Sequence, residues 1–227
     1  TVNKRVPVIA GAGSNDTGHG VNLARSSQKH GADGLLVVTP YYNKTTQKGL
    51  IEHYSEYAKN VDIPIIIYNV PSRTGLNVEP KTALALSQIE NIIAIKEASS
   101  NLEYLVNLTE LINGKMDIYS GNDNEIIPVL SLGGIGVISV IANVVPREVH
   151  DLCYKYFDGD LKGALGLQLK LLPIFRAAFC EVNPIPIKTA LKYLGYKGYH
   201  FRRPLTTMLP EHEELLVSEL KKLNLIK

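Results

Sequence analysis

Two segments of the chain end in side chains that can do chemistry. One short apolar run ends at Tyr68, and the next run along the chain ends at Lys96. In a parallel α/β protein both side chains would emerge at the carboxyl edge of the sheet, where ligands bind. A lysine with a phenol on a nearby strand is what imine (Schiff-base) chemistry on a keto acid requires. The pattern therefore favours a lysine nucleophile assisted by a tyrosine that carries protons.

Each of these residues also has an ordinary interpretation. A lysine at a strand end usually points into water, and a tyrosine there usually packs as an aromatic ring. At pH 7 only about 0.04% of an ordinary lysine is neutral, because its reference pKa is about 10.4. A nucleophilic Lys96 must therefore be buried or lie near other cations. The end of an apolar strand in a barrel mouth would provide that burial.

Arg73 lies in a segment that follows Tyr68, and we predict a turn over Pro71–Gly75. Proline and glycine restrict the backbone of such a turn. A guanidinium held on a rigid loop suits bidentate binding of a carboxylate. The alternative is an arginine that is simply exposed on a surface loop.

Further loops fall at the same predicted edge. The segment after the second apolar run contains the paired tyrosines Tyr41 and Tyr42. Glycines in the segments 120–123 and 133–136 would let the backbone approach a ligand closely. Asn183 begins an Asn-Pro-Ile-Pro segment that looks like a structural breaker but could reach over a barrel mouth.

The elements that position these residues follow from six short apolar runs. Each run is continuous rather than alternating, which is typical of parallel strands covered on both faces. The runs are Val6–Ala10, Leu35–Thr39, Ile65–Tyr68, Ile92–Ile95, Asp117–Tyr119 and Gly136–Ser139. Between them we predict helices that begin at the capping residues Thr17, Thr45 and Ser100 and run through His30, Asn60 and Leu111.

The pattern changes after Ser139, where only helices are predicted, over 146–157, 160–179, 185–195 and 211–223. The fold class is therefore α/β, with about six βα units and a C-terminal helical extension. Six units suit an open doubly wound sheet, whereas a closed (β/α)8 barrel needs eight. We place residues 1–145 in the βα part and residues 146–227 in the helical part.

Composition excludes several classes of function. The 227 residues carry 24 basic and 22 acidic side chains, so a net charge of +2 gives no reason to expect nucleic acid. No apolar stretch is long enough for a membrane span, and two cysteines fit a reducing cytoplasm. The glycines of the segment 11–18 do not have the dinucleotide-binding spacing. Metal-ligand and serine-hydrolase motifs are also lacking, so we predict no metal and no cofactor.

Several segments together resemble one enzyme family. They read VTPYYN, YNVPSRTG, IIAIKEAS, IYSGND, GGIGVISVIANVVP and NPIPIK. They are similar to the dihydrodipicolinate synthase family of pyruvate-dependent Schiff-base aldolases and lyases, along nearly the whole chain. The resemblance implies a (β/α)8 TIM barrel with a C-terminal helical extension, of which this chain would carry units three to eight.

The resemblance also implies roles for four side chains. Lys96 matches the lysine that forms an imine with pyruvate. Tyr68 matches the tyrosine that moves protons, and Arg73 matches the arginine that binds the carboxylate of aspartate semialdehyde. Tyr42 matches a tyrosine that reaches into the active site of a neighbouring subunit.

Three more residues are expected at the site. Gly121 and Ile138 match residues whose backbones line the pyruvate pocket, and we also assign Asn183 to substrate binding. The implied reaction condenses pyruvate with aspartate semialdehyde on the way to diaminopimelate and lysine. The implied assembly is a homo-oligomer, either a dimer or a tetramer.

Two alternatives stay open beside the synthase. An aldolase similar to N-acetylneuraminate lyase would share the tyrosine and the lysine, but its resemblance is weaker around Arg73. An inactive paralogue would keep the fold as an assembly module. Members of the family carry two further βα units before the first strand seen here, and a sheet without them has unpaired edges. From this difference we expect self-association and little or no synthase turnover.

Overall fold

The computed structural model describes residues 2–197 and 199–227. The chain divides into two compact units. The first comprises residues up to Gly121 together with Pro128–Ile138, and the second comprises Asn122–Ile127 and Ser139–Lys227. The domain boundary that we placed after residue 145 stays a prediction.

The first unit contains a parallel sheet of six strands. They are β1 (Ile9–Gly11), β2 (Gly34–Val38), β3 (Ile65–Asn69), β4 (Ile92–Glu97), β5 (Asp117–Ser120) and β6 (Gly136–Val137). Their order in the sheet is the order in the sequence, and every neighbouring pair is parallel. This is the order of consecutive strands in a (β/α) barrel, whereas the order reverses at some point in a doubly wound sheet. The α/β barrel-type class is confirmed, and the doubly wound alternative is not.

Every strand differs from its predicted run by at least one residue at one end, as the first and the last strand illustrate. The first was expected from Val6 but begins at Ile9. Pro7 has no amide proton to donate, and the amide of Val8 donates to the Asp33 carboxylate rather than to a strand. The last strand was expected to reach Ser139 but ends at Val137.

The helices of the first unit follow their strands. They are α1 (Thr17–Lys29), α2 (Gln47–Asn60), α3 (Pro71–Thr74), α4 (Pro80–Leu86) and α5 (Leu102–Ile112), and α6 (Ile126–Ser131) spans the division between the units. The predicted caps are wrong by one residue in each case, since the caps are Asp16, Thr46 and Asn101. Each accepts a hydrogen bond from the backbone amide three residues further on. Neighbouring polar residues compete for this role, and spacing alone does not choose between them.

The core of the first unit lies on one face of the sheet, against helices α1, α2, α4 and α5. The fully buried strand residues on this face include Leu35, Val37, Ile65, Ile67 and Ile95. On the other face, Leu36, Val38 and Tyr68 are only half-buried. These three half-buried residues line an open cavity, whereas Ile66, Ala94 and Lys96 on the same face are buried.

The second unit is helical, as predicted. It contains α7 (Pro146–Phe157), α8 (Leu161–Ala178), α9 (Ile185–Tyr193) and α10 (Pro210–Lys222), together with short 3-10 turns at Asp123–Glu125 and Ile141–Asn143. Asp160 caps α8 by accepting from the amide of Gly163 at 2.8 Å. Within the described residues, no helix combines the length and the apolar character that crossing a membrane demands.

Candidate active site

Lys96 and Tyr68 lie side by side in the sheet. They are register partners on β4 and β3, and the Lys96 Nζ lies 4.0 Å from the centre of the Tyr68 ring. Lys96 is only 7% exposed, and Tyr68 is half-buried. Burial is the condition that the sequence set for a nucleophilic lysine. The structure thus brings together the two residues on which the predicted chemistry depends.

A one-residue register shift produces this pairing. Ile65 pairs with Ile92, but Ile66 pairs with Ala94, so Ile93 is an extra residue on β4. Without the shift, Tyr68 would pair with Ile95, a residue of the core face. Because neighbouring side chains in a sheet alternate between faces, the shift keeps Lys96 and Tyr68 together on the face opposite the core.

The Tyr68 phenol is held in its protonated form. Burial raises its pKa above the ordinary value, and the positive charge of Arg73 opposes this effect as the smaller cause. A phenol that stays protonated around neutral pH can donate a proton to a reacting group.

Arg73 lies on α3, a single helical turn at the position of the predicted turn. Pro71 occupies the first helical position, where the missing amide proton is not needed. Gly75 ends the turn with φ of 69°, and its amide donates to the Pro71 carbonyl at 2.8 Å. The Arg73 side chain is exposed, so it is free to meet a carboxylate arriving from solvent.

Two threonine hydroxyls hold α3 against the end of β2. The Thr39 hydroxyl donates to the Thr74 hydroxyl at 3.2 Å, and both residues are buried. The Thr74 hydroxyl in turn donates to the Leu76 carbonyl at 3.0 Å. These residues position the turn that carries Arg73, and we did not identify Thr74 from the sequence. No local pattern distinguishes it, since its partner lies in a different βα unit.

A cavity of about 350 Å³ opens beside Tyr68 and Arg73. Its lining residues are Gly11, Gly13, Leu36, Val38, Tyr41, Tyr68, Val70, Arg73 and Thr74. A side chain on Gly13 would collide with Val38, since an added Cβ would lie 2.5 Å from its Cγ1 atom. Lys96 is not among the lining residues and adjoins the cavity through its contact with Tyr68.

A larger cavity, of about 720 Å³, is not the candidate site. It lies at the amino ends of the strands, beside α2 and Ile93, and its charged lining residues are Lys59, Asp62 and Glu90. None of the predicted site residues lines it. Ligands of parallel α/β sheets bind at the carboxyl ends of strands, so the smaller cavity is the better candidate.

Gly121 and Ile138 follow strands of the same sheet. The Gly121 amide donates to the Glu97 carbonyl at 2.6 Å, so this glycine lies against the end of β4. An added Cβ there would lie 2.6 Å from the Ala98 Cβ, which explains the need for glycine. The Ile138 amide donates to the Ser120 carbonyl at 2.9 Å. Their contribution to a pyruvate pocket stays a prediction.

No described contact brings Tyr42 to this site. Tyr42 is 91% exposed, with φ of 68°. Asn183 belongs to the second unit, and its side-chain oxygen is buried without a hydrogen-bond partner among the described residues. Among residues 2–197 and 199–227, no group of three or more His, Cys, Asp and Glu side chains is arranged to hold a metal ion. The roles of Tyr42 and Asn183 stay predictions.

The strand order and the buried lysine beside a tyrosine define the class of the protein, a (β/α)-barrel enzyme with a candidate imine-forming site. Comparison with known proteins then identifies the family. The model of the dihydrodipicolinate synthetase family matches residues 1–223, and the chain belongs to this family. The family suggested by the sequence motifs is thereby confirmed.

Curated relatives agree with this assignment. A protein of Caldicellulosiruptor saccharolyticus is 57% identical over 93% of this chain and 72% of its own length. One of Lachnoclostridium phytofermentans is 53% identical over 98% of this chain and 76% of its own length. Both are named 4-hydroxy-tetrahydrodipicolinate synthase, so the predicted function is confirmed at the level of the family's enzymes. The chain spans about three quarters of the length of these relatives.

Solved structures give the same result. The dihydrodipicolinate synthase of Thermotoga maritima matches with a TM-score of 0.96 and 41% identity, over 99% of this chain and 78% of that one. The chloride-inhibited enzyme of Acinetobacter baumannii, solved in complex with pyruvate, matches with a TM-score of 0.95 and 40% identity. That match covers 99% of this chain and 77% of the other.

The raised pKa of Tyr68 can be measured directly. Burial disfavours the phenolate, so we expect Tyr68 to ionise above about pH 10. In an ultraviolet titration of phenolate absorbance, Tyr68→Phe should therefore remove an ionisation that lies above that pH. Tyr42→Phe is the matched control, since that ring is 91% exposed. A Tyr68 step at about pH 10 or below would contradict the burial argument.

Proposed function

We propose that this chain condenses pyruvate with aspartate semialdehyde through an imine on Lys96, which replaces our expectation of little or no synthase turnover. The observation that carries the proposal is the buried Lys96 amine held 4.0 Å from the Tyr68 ring at the carboxyl ends of β3 and β4. The synthase name shared by the relatives and the pyruvate complex of the Acinetobacter baumannii enzyme support the choice of substrates.

The chemistry begins with the neutral amine of Lys96. Its nitrogen attacks the ketone carbon of pyruvate, and loss of water leaves a protonated imine. The imine draws electrons from the adjacent methyl group, which gives up a proton and becomes the nucleophilic carbon of an enamine. That carbon adds to the aldehyde carbon of aspartate semialdehyde, and the aldehyde oxygen takes up a proton. Addition of water, or of the amino group of the bound aspartate semialdehyde, to the imine carbon then releases the lysine amine and completes the cycle.

Tyr68 is assigned the proton transfers of this sequence. Its ring contacts the amine, and burial keeps its phenol protonated, because it raises the pKa of that group. These observations support the assignment of Tyr68 as the donor of a proton to the oxygen that leaves as water. Arg73, on the same cavity, is assigned the carboxylate of aspartate semialdehyde, because a guanidinium binds a carboxylate with two parallel hydrogen bonds.

Tyr42 is assigned to the active site of a second copy of the chain. The ring is 91% exposed, and its backbone adopts a left-handed conformation that is rare for residues other than glycine. Such strain persists at functional positions. The proposed assembly is a homo-oligomer, and the proposed location is the cytoplasm, in keeping with two unpaired cysteines.

The test of Lys96 is intact-protein mass after incubation with pyruvate and borohydride. We expect one covalent adduct, equal to pyruvate less one water plus two hydrogens, because borohydride reduces the imine to a stable amine. The adduct should disappear in Lys96→Arg and persist in Lys59→Arg, a lysine that lines the other cavity. This trap needs only the imine, so it tests Lys96 independently of the later steps. An adduct that survives in Lys96→Arg would refute the assignment.

The test of Arg73 is a comparison of the two substrates. We expect Arg73→Ala to raise KM for aspartate semialdehyde about 10- to 100-fold, since a hydrogen bond to a charged group contributes roughly 1.5–3 kcal/mol. The KM for pyruvate should change little. Arg147→Ala, which removes an exposed arginine of α7, is the control. Equal increases for both substrates would mean that Arg73 shapes the site as a whole and binds neither carboxylate in particular.

The test of Tyr42 is complementation between subunits. We expect Tyr42→Ala and Lys96→Ala to be inactive alone and to regain turnover when mixed. In a mixed oligomer, one site combines an intact Lys96 with a Tyr42 from the neighbouring copy. Sedimentation of the mixture shows whether mixed oligomers form. Mixed oligomers without turnover would exclude the role across subunits.

A further inference from the structure

A second polar cluster lies directly behind the candidate catalytic pair. Asn69 follows Tyr68 on β3, Glu97 follows Lys96 on β4, and the two are register partners. Asn69 is fully buried and Glu97 is 4% exposed. The Asn69 amide nitrogen donates to the Glu97 Oε2 atom at 2.7 Å. Since side chains alternate along a strand, this bond joins β3 to β4 on the face opposite the Lys96–Tyr68 contact.

The surroundings of Glu97 suit a carboxylate. Its Oε2 accepts from Asn69, and its Oε1 accepts from the backbone amide of Ser99. An ionised carboxylate only accepts hydrogen bonds, which matches two donors. A buried charge left unsatisfied carries a penalty of several kcal/mol, so these bonds are needed to keep Glu97 in place. The Ser99 bond also fixes the chain where it leaves β4.

Asn69 extends the cluster to the segment that follows α3. Its side-chain oxygen accepts from the Val78 amide at 3.0 Å, and its nitrogen also donates to the Asn77 side-chain oxygen at 2.8 Å. The helical turn before this segment carries Arg73. The asparagine therefore connects the ends of β3 and β4 to the loop that positions the proposed carboxylate-binding residue.

Tyr104 of α5 closes the cluster. Its hydroxyl donates to the Val78 carbonyl at 2.6 Å. Burial, and secondarily the charge of Glu97, raises the pKa of Tyr104, so the hydroxyl remains a donor. The cluster thus joins two strands, one loop and one helix through hydrogen bonds between buried groups.

We propose that Asn69 and Glu97 are positioning residues for the imine chemistry of Lys96. From the core face of the sheet, their hydrogen bond fixes the ends of β3 and β4 and thereby the placement of the Lys96 amine beside the Tyr68 ring. The inference rests on the proposed role of Lys96. Its physical reason is that a misplacement of about 1 Å can slow a reaction by about two orders of magnitude.

A cluster that only stabilises the fold would behave differently. Disturbing it would lower the free energy of unfolding but leave the reactivity of each folded molecule unchanged. A positioning role requires that reactivity falls in protein that is still folded. The two roles are therefore separated by measuring the rate of imine formation beside the stability.

An exchange of the two side-chain types provides the sharpest variants. Glu97→Gln makes an amide nitrogen face one of the two donors, either the Asn69 amide nitrogen or the Ser99 backbone amide, so that one hydrogen bond is lost. Asn69→Asp makes a second carboxylate face the Glu97 carboxylate, so that two acceptors repel each other. In the double variant the amide introduced on β4 donates to the carboxylate introduced on β3, and a flip of the Asn77 amide restores its bond. The double variant keeps one negative charge but moves it from the neighbour of Lys96 to the neighbour of Tyr68.

The measurement is the rate of borohydride-trapped adduct formation with pyruvate, at low and at saturating concentration. We expect each single variant to slow trapping at saturation by roughly 10- to 100-fold. The double variant should return to within about tenfold of the wild type, because coupled pairs compensate each other.

The matched control is Asn91→Asp, at the amino end of β4. The Asn91 side chain donates to the carbonyl of Ala58 in α2 and to the carbonyl of Val61, which follows α2. We expect that control to lose stability and to trap within about twofold of the wild type.

A second readout does not depend on catalysis. Because Lys96 lies over the Tyr68 ring, the ring current should shift the proton resonances of the Lys96 Cε group, which are assigned by their loss in Lys96→Arg. We expect this shift to shrink in the single variants and to recover in the double variant. If a single variant does not fold, the other single variant and the double variant decide the question.

The outcomes are separate from those of the proposed function. No adduct in the wild type would reject the imine on Lys96, and the resonance shift would still decide whether the pair positions the lysine. Normal trapping and an unchanged shift in folded Glu97→Gln would overturn the positioning role. The positioning role would also be overturned if the double variant trapped slowly and did not recover the shift of the Lys96 Cε resonances. The hydrogen bond between positions 69 and 97 would then not be the cause of the loss.

Discussion

The register of β3 against β4 is the constraint on which the rest of this structure depends. One extra residue, Ile93, lets Ile65 pair with Ile92 while Tyr68 pairs with Lys96. The shift also pairs Ile67 with Ile95, and both residues are fully buried. Burial of such a side chain contributes about 1.5–3 kcal/mol, and these contributions offset the unfavourable burial of charged groups at the strand ends. A slip of one residue would bring the wrong side chains to the cavity.

The carboxyl edge of the sheet is consequently built in two layers. Lys96 and Tyr68 form the layer on the face opposite the core, where we propose that substrate binds, and Glu97 and Asn69 form the layer that meets the core. Each residue of one layer is next in sequence to a residue of the other layer, so a displacement of the strand backbone moves both. Arg73 differs from both layers because it lies on an exposed turn. Rigid strands suit the reacting amine, whereas an exposed guanidinium suits a carboxylate that arrives from solvent.

The sequence was sufficient for the order and type of the main elements and for the pairing of Lys96 with Tyr68. Continuous apolar runs and capping residues carry that information locally. The extra residue at Ile93 could not be predicted, because the run from Ile92 to Ile95 is apolar throughout and shows no alternation. The bond between Thr39 and Thr74 joins different βα units, and no local pattern marks it. The expected roles of other residues came from the family resemblance rather than from their spacing.

A carboxylate next to the reacting lysine would ordinarily oppose the chemistry, since a nearby negative charge favours the ammonium ion. The alternation of the strand reduces this conflict by directing Glu97 to the opposite face from Lys96. Hydrogen bonds from Asn69 and the Ser99 amide also spread the charge over buried dipoles. The carboxylate has two oxygen atoms, which accept from the Asn69 amide nitrogen and from the Ser99 backbone amide. A glutamine at this position would have only one oxygen atom to accept these bonds. The proposed geometry at Lys96 is thus stabilised by a hydrogen-bonded carboxylate on the opposite face of the sheet.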